Sequence, residues 1–548
     1  MFKNNYIVWN QWLSSLLYTV LLALTLPPFL NAKNSTNTII PKPQSFHAGK
    51  GSFTLNQQTS YYSDTALAKR AIGYLQQHLK RNAGYTLKKS KTAKISKFLF
   101  SATPKKVNKA EGYRLTVTKN KIYIEARDRA GFFYAVVSFM QMMDAGIWKE
   151  KHAGKKQKSW NVPVCHIKDY PHFAWRGMML DSSRNFFSVS YIKKFIDRMA
   201  QHKLNRFHWH LTDDEGWRIE IKRYPLLTKV GAARGPGTKL PFSTYPAMRG
   251  SKNKRQSGYY SQREIREIIA YARARSVEIL PEIDMPGHAK AAIVSYPKLL
   301  QDPKDKSYYR SVQKVSNNTI NPARESTYIF LDNVLKEVSA LFPFGYIHLG
   351  GDEVPKGAWQ KSPAVKKLMK SKGFKNNKEV RAYFFSRLDR ILAKHHKKMI
   401  AWQEVAKGKA KLRNNNIFMA WKSPKDGYYL ARKRHHVILA PVQYLYFDQQ
   451  YVRSKKEPGH TWSTPVSTKK VYSFTPKASV YINGVEACLW SETLLNTHIA
   501  DYLAWPRTFA LSEVAWTEQK HKKWSGFQKR AKKGLKRLKV QGIHYRGF

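Results

Sequence analysis

Residues 177–211 read GMMLDSSRNFFSVSYIKKFIDRMAQHKLNRFHWHL, a stretch that begins with the apolar run GMMLD and ends with the apolar run NRFHWHL. Short apolar runs separated by helices are what a parallel sheet requires, because parallel neighbours need a crossover between them. The same kind of run recurs downstream as VEILPEI, YIHLG, MIAW, IFMAW, VILAP and VEACLW. That series predicts a (β/α)₈ barrel, with a doubly wound open sheet as the competing arrangement. Within it, Ser261 and Glu264 form a capping box that starts a helix over 262–275.

Upstream, residues 38–169 mix strand-like runs (TSYYS, GYRLTV, KIYIEA) with helical patterns at Asp64–Leu79 and Arg129–Met143. The fold class is therefore α/β, a TIM barrel over 170–548 preceded by a small α+β domain. Residues 1–32 read as a signal peptide: Lys3 precedes an apolar stretch from Trp12 to Leu26, with small and polar residues around Ala32. Export to a periplasmic or extracellular space is expected, or attachment to the membrane if the leader is retained. No Cys follows it, which argues against a bacterial lipoprotein anchor. Cys165 and Cys488 lie far apart and are expected to be buried thiols rather than a disulfide. The tail KHKKWSGFQKRAKKGLKRLK is expected to be a basic, solvated outer helix.

The chain has 548 residues, with 97 Lys or Arg against 36 Asp or Glu, a formal net charge of +61. With 42% hydrophobic residues it is too apolar to be disordered, so most of that charge sits on a folded surface. A field of this kind draws anionic polymers of a cell envelope without reading sequence, so no specific nucleic-acid recognition is expected.

The scarce acids gather where the predicted strands end, which is the catalytic end of such a barrel. Asp181 follows GMML; Asp213, Asp214 and Glu215 follow FHWHLT; Glu282 and Asp284 follow EILP. Asp352 and Glu353 follow IHLGG, Glu404 follows MIAWQ, Asp448 follows YLYF, and Glu492 follows ACLWS. Any one of these could instead cap a helix. Adjacent carboxylates repel, so one of Asp352 and Glu353 should keep its proton near neutral pH, as a general acid must. Gly350 and Gly351 free the backbone to turn both acids into one pocket. Trp402, Trp421, Tyr446 and Trp490 close predicted strands at the same rim. Acids beside aromatic walls suit a sugar, although packing beneath the loops as core competes with that reading at each aromatic position.

These blocks resemble the β-N-acetylhexosaminidases of glycoside hydrolase family twenty over nearly the whole chain after the leader. The resemblance rests on IIPKPQSF, RGMMLDSSRNFF, FHWHLTDDEGWRIEI, GYYSQREIREIIAYA, PEIDMPGH, HLGGDEVPKGAW, YLYFD and GVEACLWSE, in the family's order. It implies exo-acting, retaining hydrolysis of terminal β-linked N-acetylglucosamine or N-acetylgalactosamine, with the substrate's acetamido oxygen as nucleophile and no cofactor. It implies Glu353 as general acid and base, Asp352 as the group orienting the acetamido nitrogen, and Tyr446 as a partner of its carbonyl. Trp402, Trp421 and Trp490 would enclose the sugar, and Arg184, Asp448 and Glu492 would bind its outer hydroxyls. Asp213 and His288 would form a relay behind Glu353. The expected partners are N-acetylhexosamine-containing glycans.

Two other classes compete. His208 and His210 form an H-x-H that, with His288 and an Asp, could belong to a metal-dependent barrel hydrolase, unless both face the interior and satisfy buried partners. A basic polymer-binding protein on a barrel scaffold is the other. If the charge serves attachment, binding of the full chain to an anionic polymer will weaken steeply between roughly 50 and 200 mM salt. A co-sedimentation titration that shows no salt dependence would remove this role.

Overall fold

The computed structural model describes residues 37–150, 156–240, 255–407 and 411–548; the expected leader over 1–32 lies outside the described residues. Eight parallel strands close into a barrel in chain order: Trp175–Asp181, Arg206–His210, Glu278–Glu282, Tyr346–His348, Lys398–Trp402, Ile417–Ala420, His436–Leu439 and Ile482–Leu489. The last strand pairs with the first in register, Glu486 opposite Gly177 and Leu489 opposite Leu180. Closure decides between the two sheet arrangements that the apolar runs allow: a barrel, not an open sheet. Each strand is almost wholly buried, as strands covered on both faces must be.

Ahead of the barrel, seven strands form one mixed sheet, with the long hairpin-like pair Ser45–Asn56 and Ser159–Asp169 along one edge. Helix Arg129–Gln141 has every residue from Gly131 onward buried, packing on strands Tyr113–Val117 and Ile122–Ala126. The helix expected at Asp64–Leu79 runs instead from Lys69 to Ala83. Thr65 caps a short 3₁₀ turn first, and Gly84 at φ 82° ends the helix, so both boundaries follow local capping rather than the apolar period.

Buried ion pairs fasten this sheet near the places where the first two barrel strands begin. The Lys203 ammonium donates to Asp169 (2.7 Å) and to the Tyr113 hydroxyl (2.9 Å), and Arg176 donates to Glu111 (2.5 Å). The sheet therefore lies away from the C-terminal strand ends and leaves them open.

One expectation changes at the tail and another holds at the thiols. Helix Trp524–Val540 is not simply solvated: Phe527, Arg530, Ala531, Gly534, Arg537 and Leu538 are buried. Gly534 faces Phe509 and Ile40 so closely that a Cβ there would lie 2.7 Å from the Phe509 ring, so the helix joins the start of the chain to the barrel. Both cysteines are free and buried, and burial pushes the Cys165 thiol up to about 12. Among the described residues no helix is long and apolar enough to cross a membrane.

The barrel interior is charged. Glu282 lies 2.5 Å from His210, 3.1 Å from His208 and 2.7 Å from His348, and accepts the Trp402 indole N–H at 3.0 Å. His208 also reaches Glu486 at 2.7 Å, and Glu486 accepts from the Trp175 indole at 2.8 Å. All four charged or imidazole groups around Glu282 are fully buried. Removing one partner from such a set leaves an uncompensated charge in a dry interior. Glu282→Gln is therefore expected to lower unfolding stability by about 3–5 kcal/mol, read from the urea midpoint. A change under about 1 kcal/mol would show that the interior tolerates the loss of this anion.

Candidate active site

The barrel's C-terminal end opens into a cavity of about 780 Å³, lined by Arg184, Asp213, His288, Asp352, Glu353, Trp421, Tyr446, Asp448, Trp490 and Glu492 among others. The loops after the strands bring these residues together from seven separate stretches of sequence. The sharpest turn follows strand Tyr346–His348: Gly350 and Gly351 adopt φ 64° and 100°. A Cβ at Gly350 would sit 1.6 Å from Asp284 Oδ1, and one at Gly351 would sit 2.3 Å from Val405, so only glycine fits either place. Glu353 itself is held at φ 42° and His288 at φ 51°, left-handed conformations that cost a non-glycine residue energy and cluster at functional sites.

Carboxylate oxygens of Asp352 and Glu353 and a ring nitrogen of His288 lie within 4.8 Å of one another. His288 Nε2 stands 3.6 Å from Glu353 and 3.9 Å from Asp352, while its Nδ1 reaches Asp213 at 3.1 Å. Asp213 in turn meets His210 (2.8 Å) and Arg184 (2.7 Å). Asp213, His288 and Glu353 thus stand in a line that continues through His210 to Glu282 in the barrel interior.

Burial and neighbours push these groups apart in acidity. Burial, then Glu353, Glu404 and Glu282, raise Asp352 to about 7 despite the His288 charge. Burial alone would raise Glu353 as well, but the adjacent His288 and the Gln313 amide, which donates to it at 3.1 Å, bring it below its usual value. His288 is raised well above an ordinary imidazole because Asp213 and the two carboxylates outweigh its burial. Of the two adjacent acids it is Asp352 that is pushed toward keeping its proton near neutral pH, as their repulsion requires of one of them.

The aromatic walls are built by Trp421 and Tyr446, stacked at 6.1 Å and 18°, and by Trp490, 6.3 Å from Tyr446. The Trp421 indole donates to both Glu404 oxygens at 3.2 Å, which fixes its plane. Trp402 is placed differently: it is buried below the cavity, 6.0 Å from Trp490, with its N–H committed to Glu282. Of the four strand-end aromatics it is the one packed as core. Arg184 faces the cavity under Trp490, yet its guanidinium already binds Asp213, Glu215 (3.2 Å) and Asp181 (3.4 Å). Asp448 and Glu492 both line the cavity; burial raises Asp448 to about 7, while Arg184 and His460 overcome burial and hold Glu492 at about 2.

Several acids named from their position at strand ends turn out to secure loops. Asp181 accepts from the Ser183, Arg184 and Ser491 amides, and Asp214 from the Lys290 amide and Asn318. Three lining residues carried no signal in the sequence: Gln313, His460 and Trp462. They sit on long loops without an apolar period, and only the aromatic character of Trp462 could have marked it.

The H-x-H histidines face the interior. His208 lies between Glu486 and Glu282, and His210 between Glu282 and Asp213. Those carboxylates outweigh burial, raising His208 to about 9 and His210 well above its ordinary value. Both ring nitrogens of each histidine thus face carboxylates, the arrangement of imidazoles that satisfy buried partners.

Comparison with known proteins agrees with this geometry. Residues 173–519 match the family model described as glycosyl hydrolase family 20, catalytic domain, and residues 36–170 match the same family's domain 2. A beta-hexosaminidase of Vibrio furnissii is 35% identical over 488 residues, covering 87% of this chain and 76% of that protein. An N,N'-diacetylchitobiase of Vibrio harveyi is 29% identical over 89% of this chain, which spans 63% of that protein's length. The crystal structure of a GH20 exo beta-N-acetylglucosaminidase from Vibrio harveyi, in complex with N-acetylglucosamine, superposes with a TM-score of 0.87 at 37% identity, covering 95% of this chain and 81% of that one. With the catalytic-domain model matched over 173–519 and domain 2 over 36–170, the chain belongs to glycosyl hydrolase family 20.

Proposed function

We infer that this exo-acting β-N-acetylhexosaminidase works by substrate-assisted catalysis, and the observation that carries the reading is the placement of Asp352 and Glu353. Their oxygens come within 4.8 Å and both face His288, so the two stand on one side of the cavity. An inverting pair needs roughly 6.5–9.5 Å to admit a water between its members. A nucleophile supplied by the sugar removes the need for an opposed carboxylate.

In this reading the acetamido oxygen attacks the anomeric carbon as the leaving oxygen takes a proton from Glu353. The bond to the leaving group breaks, and an oxazolinium ring forms whose N–H positive charge is met by ionised Asp352. Glu353, now a carboxylate, takes a proton from water, and that water opens the ring with net retention. Tyr446 holds the acetamido carbonyl in position, an orientation effect worth several kcal/mol, of order 7–11 in ideal cases. Trp421 and Trp490 flank the sugar, with Trp402 supporting them from below. Asp448, Glu492 and Arg184 meet the outer hydroxyls through charge-assisted hydrogen bonds. Asp213 orients His288, whose proton replenishes Glu353.

A terminal β-linked N-acetylglucosamine is the unit we favour, in line with the chitobiase and exo-N-acetylglucosaminidase among the relatives. Trp462, half exposed at the mouth and 6.2 Å from Tyr446, offers a ring face to the sugar beyond the scissile bond.

Glu353→Gln and Asp352→Asn should each cut release of p-nitrophenol from p-nitrophenyl N-acetyl-β-D-glucosaminide by at least roughly 100-fold, with wild-type activity untouched by EDTA. Wild-type turnover that vanishes with the chelator would instead favour the metal-hydrolase reading. The proton on Asp352 gives a second test. The step needs Asp352 ionised, so kcat/KM should rise with pH through about 7, the value set for the free enzyme. Glu404 is one of the negative charges holding that value up. In Glu404→Gln the acid limb should therefore move to lower pH; a limb that stays in place or moves upward would separate it from Asp352.

A further inference from the structure

Beside the catalytic cavity lies a second hollow, and its lining has the opposite electrostatic character. It measures about 320 Å³ and shares Pro458 and Ile499 with the cavity, so the two adjoin at the mouth. Its other lining residues are Lys456, Asn496, His498, Tyr502 and His544. No carboxylate lines it, whereas the catalytic cavity is lined by Asp213, Asp352, Glu353, Asp448 and Glu492.

The donors in the hollow are available. Asn496 uses its side-chain oxygen to cap helix Thr497–Ala504, which turns its amide N–H groups to other partners. Of the two acids close by, Glu457 is occupied by the Tyr502 hydroxyl and the Arg546 guanidinium, each at 3.2 Å, and Asp501, which also acts on His498, by the Tyr191 hydroxyl (2.9 Å) and Arg198 (2.7 Å). His544 stacks on Tyr502 at 5.7 Å and 27° and stands 5.7 Å from His498, so the two imidazoles are held side by side. Among the described residues, the Lys456 ammonium and both imidazoles form no ion pair or hydrogen bond.

A neutral oligosaccharide presents hydroxyls that donate as well as accept, and a subsite for it would offer acceptors in return. The lysine and the amide N–H only donate, and each imidazole donates at one nitrogen or, when protonated, at both, so together they match a group that only accepts: an oxyanion. We propose that this hollow is a subsite for a carboxylate or sulfate carried by the residue to which the terminal N-acetylhexosamine is linked. The inference rests on the exo-hydrolase reading of the adjoining cavity. It assigns the enzyme a preference for acidic glycoconjugates over neutral chitin fragments. The overall charge of +61 cannot supply that preference by itself, because salt at about 0.15 M screens charges beyond roughly 8 Å and leaves only those at the mouth effective.

The test compares three substrates with the same terminal sugar: chitobiose, N-acetylglucosaminyl-β-1,4-N-acetylmuramic acid, and chitobiose sulfated on its reducing sugar. At 0.15 M salt, wild type should cleave at least one acidic substrate with a kcat/KM roughly fivefold or more above chitobiose, the scale of a few exposed charge contacts. The variant Lys456→Ala/His498→Ala/His544→Ala should lose that preference through KM and keep its chitobiose turnover. A control with Lys367, Lys370 and Lys372 changed to Gln should keep the preference. Which acidic substrate gains tells a carboxylate site from a sulfate site. Equal preference in wild type and the triple variant, or none in wild type, overturns the subsite while leaving the hydrolase reading intact. Failure to cleave chitobiose at all overturns both.

Discussion

The anion of Glu282 at the centre of the barrel is the constraint on which the site depends. A barrel this narrow has no water to solvate a charge, so every buried carboxylate must be met by a cation or a donor. Glu282 is met by His208, His210 and His348 and by the Trp402 indole. From there charges alternate along the axis. Glu486 and Glu282 flank His208, Glu282 and Asp213 flank His210, and Asp213 passes its remaining oxygen to His288 beside Glu353. The position of the acid at the mouth is thus fixed by pairings that begin in the interior. That also explains why Trp402 is core: its indole completes the coordination of Glu282 and cannot swing up to a ligand.

Much of this was legible in the sequence, for a physical reason. Strands buried on both faces must be continuous apolar runs, and each of the eight quoted runs overlaps a barrel strand. Polar residues at the ends of such runs have few roles other than capping or chemistry, which is why Asp352, Glu353, Asp448 and Glu492 could be found. The same rule swept in Asp181 and Asp214, which hold loops through backbone amides, because a run's end looks alike in both cases. Gln313, His460 and Trp462 reach the cavity from loops whose path depends on tertiary packing, so no local period announces them. The tail helix was misjudged for a related reason: its buried face includes Arg530 and Arg537, whose charge reads as solvent-facing until partners such as Glu513 are placed beside them.

The ionisation of the carboxylate pair shows how the empty pocket and the reacting one differ. Without substrate, burial and repulsion leave the proton on Asp352, and the charge of His288 keeps Glu353 ionised. The chemistry asks for the reverse distribution. An acetamido N–H placed against Asp352 would stabilise its charged form, and a leaving oxygen with its apolar surroundings placed against Glu353 would disfavour the charge there. Both changes follow from one binding event, so Asp352 releases its proton and Glu353 takes one from His288 only when a 2-acetamido sugar fills the pocket. A sugar without that group would leave Asp352 protonated, so under the proposed mechanism the pair would be a filter as well as a catalyst.

Such a filter would be hard to keep in a protein of this charge if the surface acted on the site directly, because a strong positive field favours ionised carboxylates. Two features separate them. Screening limits the reach of surface lysines to about 8 Å at physiological salt, and the acids that matter lie inside the barrel mouth, where the nearest charges are His288, Asp213 and Glu404. The few acids of the chain are concentrated where each one shifts another, and the many bases are outside, where they act on what approaches. The acidity of the site and the basicity of the surface are therefore set independently, and a change in one need not disturb the other.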